Sequence, residues 1–358
     1  MVCGGVHRDH DADPRPPGDA HLHVHADRVD LPSGSPGGSE FIRPFRMDPQ
    51  HDMPPPVASI DIGSNSVLLL VARRTADGRW HTLHEAAEIT RISEGLDASG
   101  SLADAPVGRT ADVLRAFAAT CRDLGVARIH ATGTAPFRRS TNGPDVAAAL
   151  GQALGAPLHI ASGTEEAELS LLATTRAFPD LPDLLVLDIG GASTELILHG
   201  PHRTLTRSLD IGSVRLSERF DGHLPLPNHR QRALRAAVLD ALRTADILPH
   251  IPTGIPLVGI AGTVTTLLAA SLRMDRWDAS RVHGASLDRD TLLPLLDTLC
   301  RLDAAGRAEL PGIAPKRADV IAAGALLLDA LMEALQAPTL RVSDRGVRWG
   351  RLHREEDP

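Results

Sequence analysis

The chain has 358 residues, with 37 Lys+Arg against 45 Asp+Glu, a formal net charge of -8 and 42% hydrophobic residues. That length predicts two domains with their own cores, and the acidic balance argues against a general nucleic-acid binder. No run approaches the ~20 apolar residues of a membrane span. The start of the chain lacks a secretory pattern, and three distant cysteines (Cys3, Cys121, Cys300) exclude a disulfide scaffold or zinc ribbon; both point to the cytoplasm. Lys316 is the single lysine, so no GxxxxGK[ST] phosphate loop exists. Tyrosine is absent and aromatics are 3%, which speaks against stacking along a nucleic-acid strand.

Residues 1–56 read as a disordered tail rich in Asp, His, Pro and Gly. HLHVH (21–25) is more plausibly solvated tail than metal site, and Met47 and Met53 offer later starts of translation. Order is expected from Val57. VASIDI (57–62), the turn GSNS and VLLLVARR (67–74) predict strand–turn–strand. The spacing of Val107, Ala111, Leu114, Ala118 and Cys121 predicts a helix over 106–124, with Pro106 in its first turn and Gly125 at its stop. A strand (127–132), a helix (145–154), a strand (158–162) and a helix (164–177) with Thr164 as N-cap follow. LLVLDIGGASTELIL (184–198) is a second strand–turn–strand. LVGIAGTVTT (257–266) runs from strand into helix, VIAAGALLLDALMEAL (320–335) is an apolar helix, and LRVSD (340–344) is a last strand. The alternation predicts an α/β fold.

The second strand–turn–strand repeats the first. Asp188 falls on Asp61, Ile189 on Ile62, Gly190 on Gly63 and Ser193 on Ser66, which suggests a duplicated domain. Each turn exposes backbone N–H groups in a concavity able to hold phosphate oxygens without a lysine. Ser64, Asn65, Ser66, Ser193 and Thr194 add donors, and the GIAGT turn, with Gly262 and Thr263, is a third candidate. Asp188 and Glu195 flank the second turn. Carboxylates beside a phosphate repel it unless a divalent cation intervenes, and such a ligand set suits Mg²⁺. Glu165 and Glu166 open a helix, as capping residues or as a proton acceptor for an attacking water. Arg138, Arg139, Arg215, Arg345 and Arg348 could offset the acidic field around a polyanion.

Together SIDIGSNSVLLLV, ATGTAPFRRSTNG, SGTEEAELS, LDIGGASTELIL, DIGSVRLSERF, GIAGTVTTL, PKRADVIAAGALLLDAL and VSDRGVRWG, in this order over residues 57 to about 353, resemble the Ppx/GppA family of exopolyphosphatases and guanosine pentaphosphate phosphohydrolases. The resemblance implies two duplicated actin-like (ribonuclease H-like) domains around an interdomain cleft, at 57–180 and 181–355. It implies Glu166 as catalytic base, and Asp188, Glu195 and Asp61 at a Mg²⁺ (or Mn²⁺) site. It implies phosphate contacts from Gly63, Ser64, Asn65, Ser66, Arg138, Gly190, Gly191, Ala192, Ser193, Thr194, Gly262 and Thr263. The family's third glycine is Ala192 here, a departure that keeps the free N–H but forbids the positive-φ conformations glycine tolerates, and so bears on the geometry of that turn. The chain matches the short family members, which lack a C-terminal helical domain.

The expected activity is exopolyphosphatase, removing the terminal phosphate of inorganic polyphosphate. Guanosine pentaphosphate is the alternative substrate, and an actin-like kinase or a non-catalytic phosphate sensor are more distant readings. No nucleic-acid or membrane partner is expected, and a homodimer stays open.

Overall fold

The computed structural model describes residues 54–355. All but the last three residues of the expected tail, HLHVH included, lie outside that range. Within it, two sheets share one plan. The first half runs β1 (Val57–Ile62), β2 (Ser66–Arg74), β3 (Trp80–Ile89), α1 (Leu96–Ser99), α2 (Asp104–Asp123), β4 (Arg128–Gly133), α3 (Ala135–Arg139), α4 (Gly143–Leu154), β5 (Leu158–Ile160) and α5 (Gly163–Ala177). The second runs β6 (Leu184–Ile189), β7 (Thr194–Gly200), β8 (Arg203–Leu209), α6 (Ser213–Arg219), α7 (Asn228–Ala245), β9 (Leu257–Ile260), α8 (Ala261–Ser271), α9 (Ala279–Val282), β10 (Ser286–Asp288), α10 (Arg289–Arg301), α11 (Ala304–Ala308), α12 (Ile321–Ala334), β11 (Thr339–Val342) and α13 (Val347–Arg354).

The first sheet has the order β3-β2-β1-β4-β5 and the second β10-β11-β9-β6-β7-β8. In each, three antiparallel strands meet two parallel ones, with β6, β7, β8, β9 and β11 standing where β1 to β5 stand in the first. β10 is an extra edge strand, antiparallel to β11. The fold is therefore α/β and duplicated, as the repeated phrase implied. Central strands are apolar on both faces because helices cover both. Ile60, Leu69, Val186 and Val258 are fully buried.

The edge strand β3 was absent from the sequence expectations, since no residue in it is fully buried and period-2 contrast is faint. The helix over 163–177 forms as expected, but Ser162, not Thr164, caps it. The Ser162 hydroxyl accepts the Glu165 N–H at 3.1 Å, which leaves Thr164 inside the first turn.

Each half sends its last helix to the other. Ala167 and Phe178, on and just after α5, pack with Leu184, Val186, Ile197 and Val258 of the second sheet. Trp349 and Leu352 of α13 pack with Leu70 and Ala72 of the first, and Ala173 of α5 joins that cluster. The two helices cross at Gly350, where a Cβ would stand 2.0 Å from the Leu169 carbonyl oxygen. Gly350→Ala should therefore cost about 1–3 kcal/mol. At roughly 2–4 °C per kcal/mol for a chain of this size, that appears as a clear fall in Tm by calorimetry.

Candidate active site

The two repeated turns have the same geometry. Gly63 N–H donates to the Ser66 carbonyl at 3.0 Å, and Gly190 N–H donates to the Ser193 carbonyl at 3.0 Å. The flanking registers match as well: Asp61 stands opposite Leu68, and Asp188 opposite Glu195. The turns meet. A Cβ on Gly191 would lie 3.2 Å from the Ser64 Cβ and 3.6 Å from the Asn65 Cβ. Gly212 lies so close behind that a Cβ there would stand 2.4 Å from the Gly191 carbonyl oxygen. Among the described residues, the amides of Ser64, Asn65, Gly191 and Ala192 have no backbone acceptor, and the Asn65 side-chain oxygen has no partner. None of Gly190, Gly191 and Ala192 takes a positive φ, so alanine at the third position fits the turn. By contrast Ala261, at the corner between β9 and α8, has φ 67°, a left-handed backbone that glycine would adopt more easily.

A cavity of about 650 Å³ opens over these turns. Asp61, Gly63, Ser64, Asn65 and Ser66 line one wall. Asp188, Gly190, Gly191, Ala192, Ser193 and Glu195 line the facing wall, and Glu166, Gly262 and Thr263 complete it. Of the residues expected from sequence, two stay out of the wall. Thr194 is fully buried, and its hydroxyl donates to the Ile211 carbonyl at 2.7 Å. Arg138 reaches Glu166 at 2.8 Å and the Ala161 carbonyl at 2.8 Å, so its guanidinium holds the glutamate and does not line the cavity.

Four of the carboxylates that line this space are shifted upward. Burial, then the charges of Glu166 and Asp188, push Asp61 up to about 8 against the pull of Arg348. Burial and Glu166 raise Asp188, although the Ser170 hydroxyl donates to it at 2.8 Å. Burial, Asp188 and Glu166 raise Glu195, which the Ser208 hydroxyl opposes at 2.8 Å. Burial also raises Glu166, with Arg138 resisting. Like charges directly opposite in a sheet, such as Asp188 and Glu195, destabilise it when nothing lies between them. Among the described residues no three His, Cys, Asp or Glu side chains form a ready metal cage. A cation that keeps several waters and takes one or two carboxylates plus phosphate oxygens needs no such cage. The facing pair, with the enclosed and unpartnered Oδ1 of Asp61, is a hard-oxygen donor set that fits Mg²⁺ or Mn²⁺.

Sequence reasoning missed several contributors. Ser170 and Ser208 position the two acidic groups, and a serine four residues after Glu166 on one helix was the available signal. Arg317 lines the cavity beside the GIAGT turn. A Cβ on Gly262 would lie 2.2 Å from its guanidinium, and burial alone lowers its pKa. Glu85 and Asp344 also line the wall, with no motif to announce Glu85.

A profile of the Ppx/GppA phosphatase family matches residues 70–357. The chain belongs to the Ppx/GppA phosphatase family. As a Ppx/GppA protein it is a phosphoanhydride hydrolase. Exopolyphosphatase 2 of Mycobacterium tuberculosis is 32% identical over 290 residues, covering 78% of this chain and 91% of that one. The crystal structure of the Aquifex aeolicus Ppx/GppA family member superposes with a TM-score of 0.71 at 27% identity, over 84% of this chain and 97% of its own. An exopolyphosphatase-like protein of known structure gives 0.75 at 29% identity, over 82% and 96%. Among the described residues no helix is long and apolar enough to cross a membrane.

Proposed function

We propose that this Ppx/GppA protein is an exopolyphosphatase that removes the terminal phosphate of inorganic polyphosphate. The observation that carries this is the contact between the two matched turns beneath a cavity that also holds Glu166. The terminal phosphate sits on the amides of Ser64, Asn65, Gly191 and Ala192, helped by the hydroxyls of Ser66 and Ser193. Glu166, fixed by Arg138, takes a proton from water as the water oxygen attacks the terminal phosphorus. The anhydride P–O bond breaks, the shortened chain leaves, and orthophosphate is released. Phosphoryl transfer needs mostly positioning and charge neutralisation, and this set of groups supplies both. Asp188 and Glu195, with Asp61, would hold a divalent ion, which supplies neutralisation of phosphate charge when bound. Arg317 and Arg348 add positive charge to a wall otherwise acidic. Two buried free thiols, Cys121 and Cys300, agree with a cytoplasmic setting.

One observation favours guanosine pentaphosphate as a second reading. The cavity extends beyond the turns to Met274, Trp277 and Ile313, and Trp277 is 55% exposed. That leaves an aromatic face where a nucleobase could stack. Orthophosphate release from polyphosphates of several lengths and from guanosine pentaphosphate, assayed side by side with Mg²⁺, decides between them. A higher kcat/KM for polyphosphate is expected. Release from guanosine pentaphosphate alone would overturn the first reading, and release from neither would overturn both.

A further inference from the structure

Two adjacent arginines on α3 divide their work. Arg138 holds Glu166, whereas Arg139 turns the other way to Oδ1 of Asp97 on α1. The second oxygen of Asp97 takes the Nε of Arg215 at 2.8 Å. Arg215 belongs to the second half, on α6, and its own N–H donates to the Gly191 carbonyl at 3.2 Å, at the edge of the second phosphate turn. Its Nη1 donates to Asp210, to Oδ1 at 3.1 Å and to the backbone carbonyl at 2.9 Å. All three members are partly shielded, with side-chain exposures of 37% for Asp97, 29% for Arg139 and 28% for Arg215. Burial works against a charge on Asp97, and the two guanidinium groups overcome it and hold the carboxyl below its ordinary range. One carboxylate thus joins the helix that fixes the candidate base to the turn that would hold the phosphate.

We propose that Asp97 is a positioning residue, a clamp whose two oxygens bind Arg139 and Arg215 and keep Glu166 in register with the second phosphate turn. The proposal rests on the reading of Glu166 as the base. The clamp touches neither substrate nor the reacting atoms. It acts on kcat through geometry, because a displacement of about 1 Å at the reacting centre costs up to roughly a hundredfold. The pair is partly exposed, so salt screens it.

The test is Asp97→Asn, which keeps shape and removes charge, with Asp97→Glu as the conservative control. Turnover at saturating polyphosphate is measured from about 20 mM to about 500 mM salt. Wild-type kcat should fall as salt rises. Asp97→Asn should start roughly tenfold lower, stay flat with salt and leave KM within about twofold. Asp97→Glu should recover most of the loss. Salt also weakens encounter with a polyanion, but that shows in KM and leaves kcat at saturation unaffected. Arg215→Gln should cost less in the Asp97→Asn background than in the wild type, since the link to Asp97 is already gone and only the contact with Asp210 remains to be lost. Amide hydrogen exchange over 135–139, measured without substrate, should quicken in Asp97→Asn. This readout judges the clamp even if the wild type fails to hydrolyse polyphosphate, a result that would sink the proposed function instead. Unchanged exchange with wild-type kcat in Asp97→Asn overturns the clamp. So does an equal loss in Asp97→Glu accompanied by a lower Tm, which would mark a general structural role.

Discussion

Replacing Glu166 by Gln should lower kcat for polyphosphate by roughly 10²–10⁴-fold, the range typical of losing a positioned general base, with little change in KM or Tm. Glutamine nearly keeps the size and one oxygen of glutamate, and Arg138 can still donate to that oxygen. What is lost is the ability to accept a proton from water. The two matched turns lie on other elements, so ground-state binding should persist, and loss confined to kcat is the signature of an interaction made in the transition state. Single-turnover assays with matched calorimetric binding check this. Near-normal turnover by Glu166→Gln would remove the residue from the reaction.

The second large effect concerns the raised carboxylates of the acidic cavity. Asp61 is raised to about 8, and Asp188 and Glu195 are raised as well, whereas in the unfolded chain all three titrate near their ordinary values of about 4. Between those limits the folded state binds more protons than the unfolded one. Stability must then fall as pH rises through that window. Metal-free protein should melt at a lower temperature at pH 8 than at pH 6. On the proposed reading Mg²⁺ binds the assembled site and not the unfolded chain, so adding it should raise Tm, and more at pH 8 than at pH 6. The variant Asp188→Asn/Glu195→Gln should show a flatter pH dependence and a smaller metal shift. A Tm indifferent to both pH and Mg²⁺ in the wild type would count against a cation site at these carboxylates.

Much of this was legible from local chemistry. β1, β2, β6 and β7 announce themselves as apolar runs broken by small residues, and their identical turns follow from the matched Asp-Ile-Gly phrases. The partly exposed edge strands β3 and β8 were not legible, because edge strands need little apolar contrast. α13 was hidden by Gly350, which in isolation disfavours a helix and is required by the crossing with α5. α7 carries Leu234, Val238 and Leu242 at four-residue spacing, a helix face that was available in the residues and that the sequence reading passed over. At the site, the motifs located the turns and the acidic groups. They could not show that Arg138 faces Glu166, since pairing across 28 residues depends on how α3 and α5 dock. Ser170 and Ser208 were invisible for the same reason.

The traded helices have a consequence for how this molecule can be divided. Cut between the repeats, each fragment would carry a terminal helix evolved for a surface it no longer owns, beside a bare sheet of its own. Each piece would expose the apolar residues that the other half now covers, and is expected to fold less stably alone than the whole.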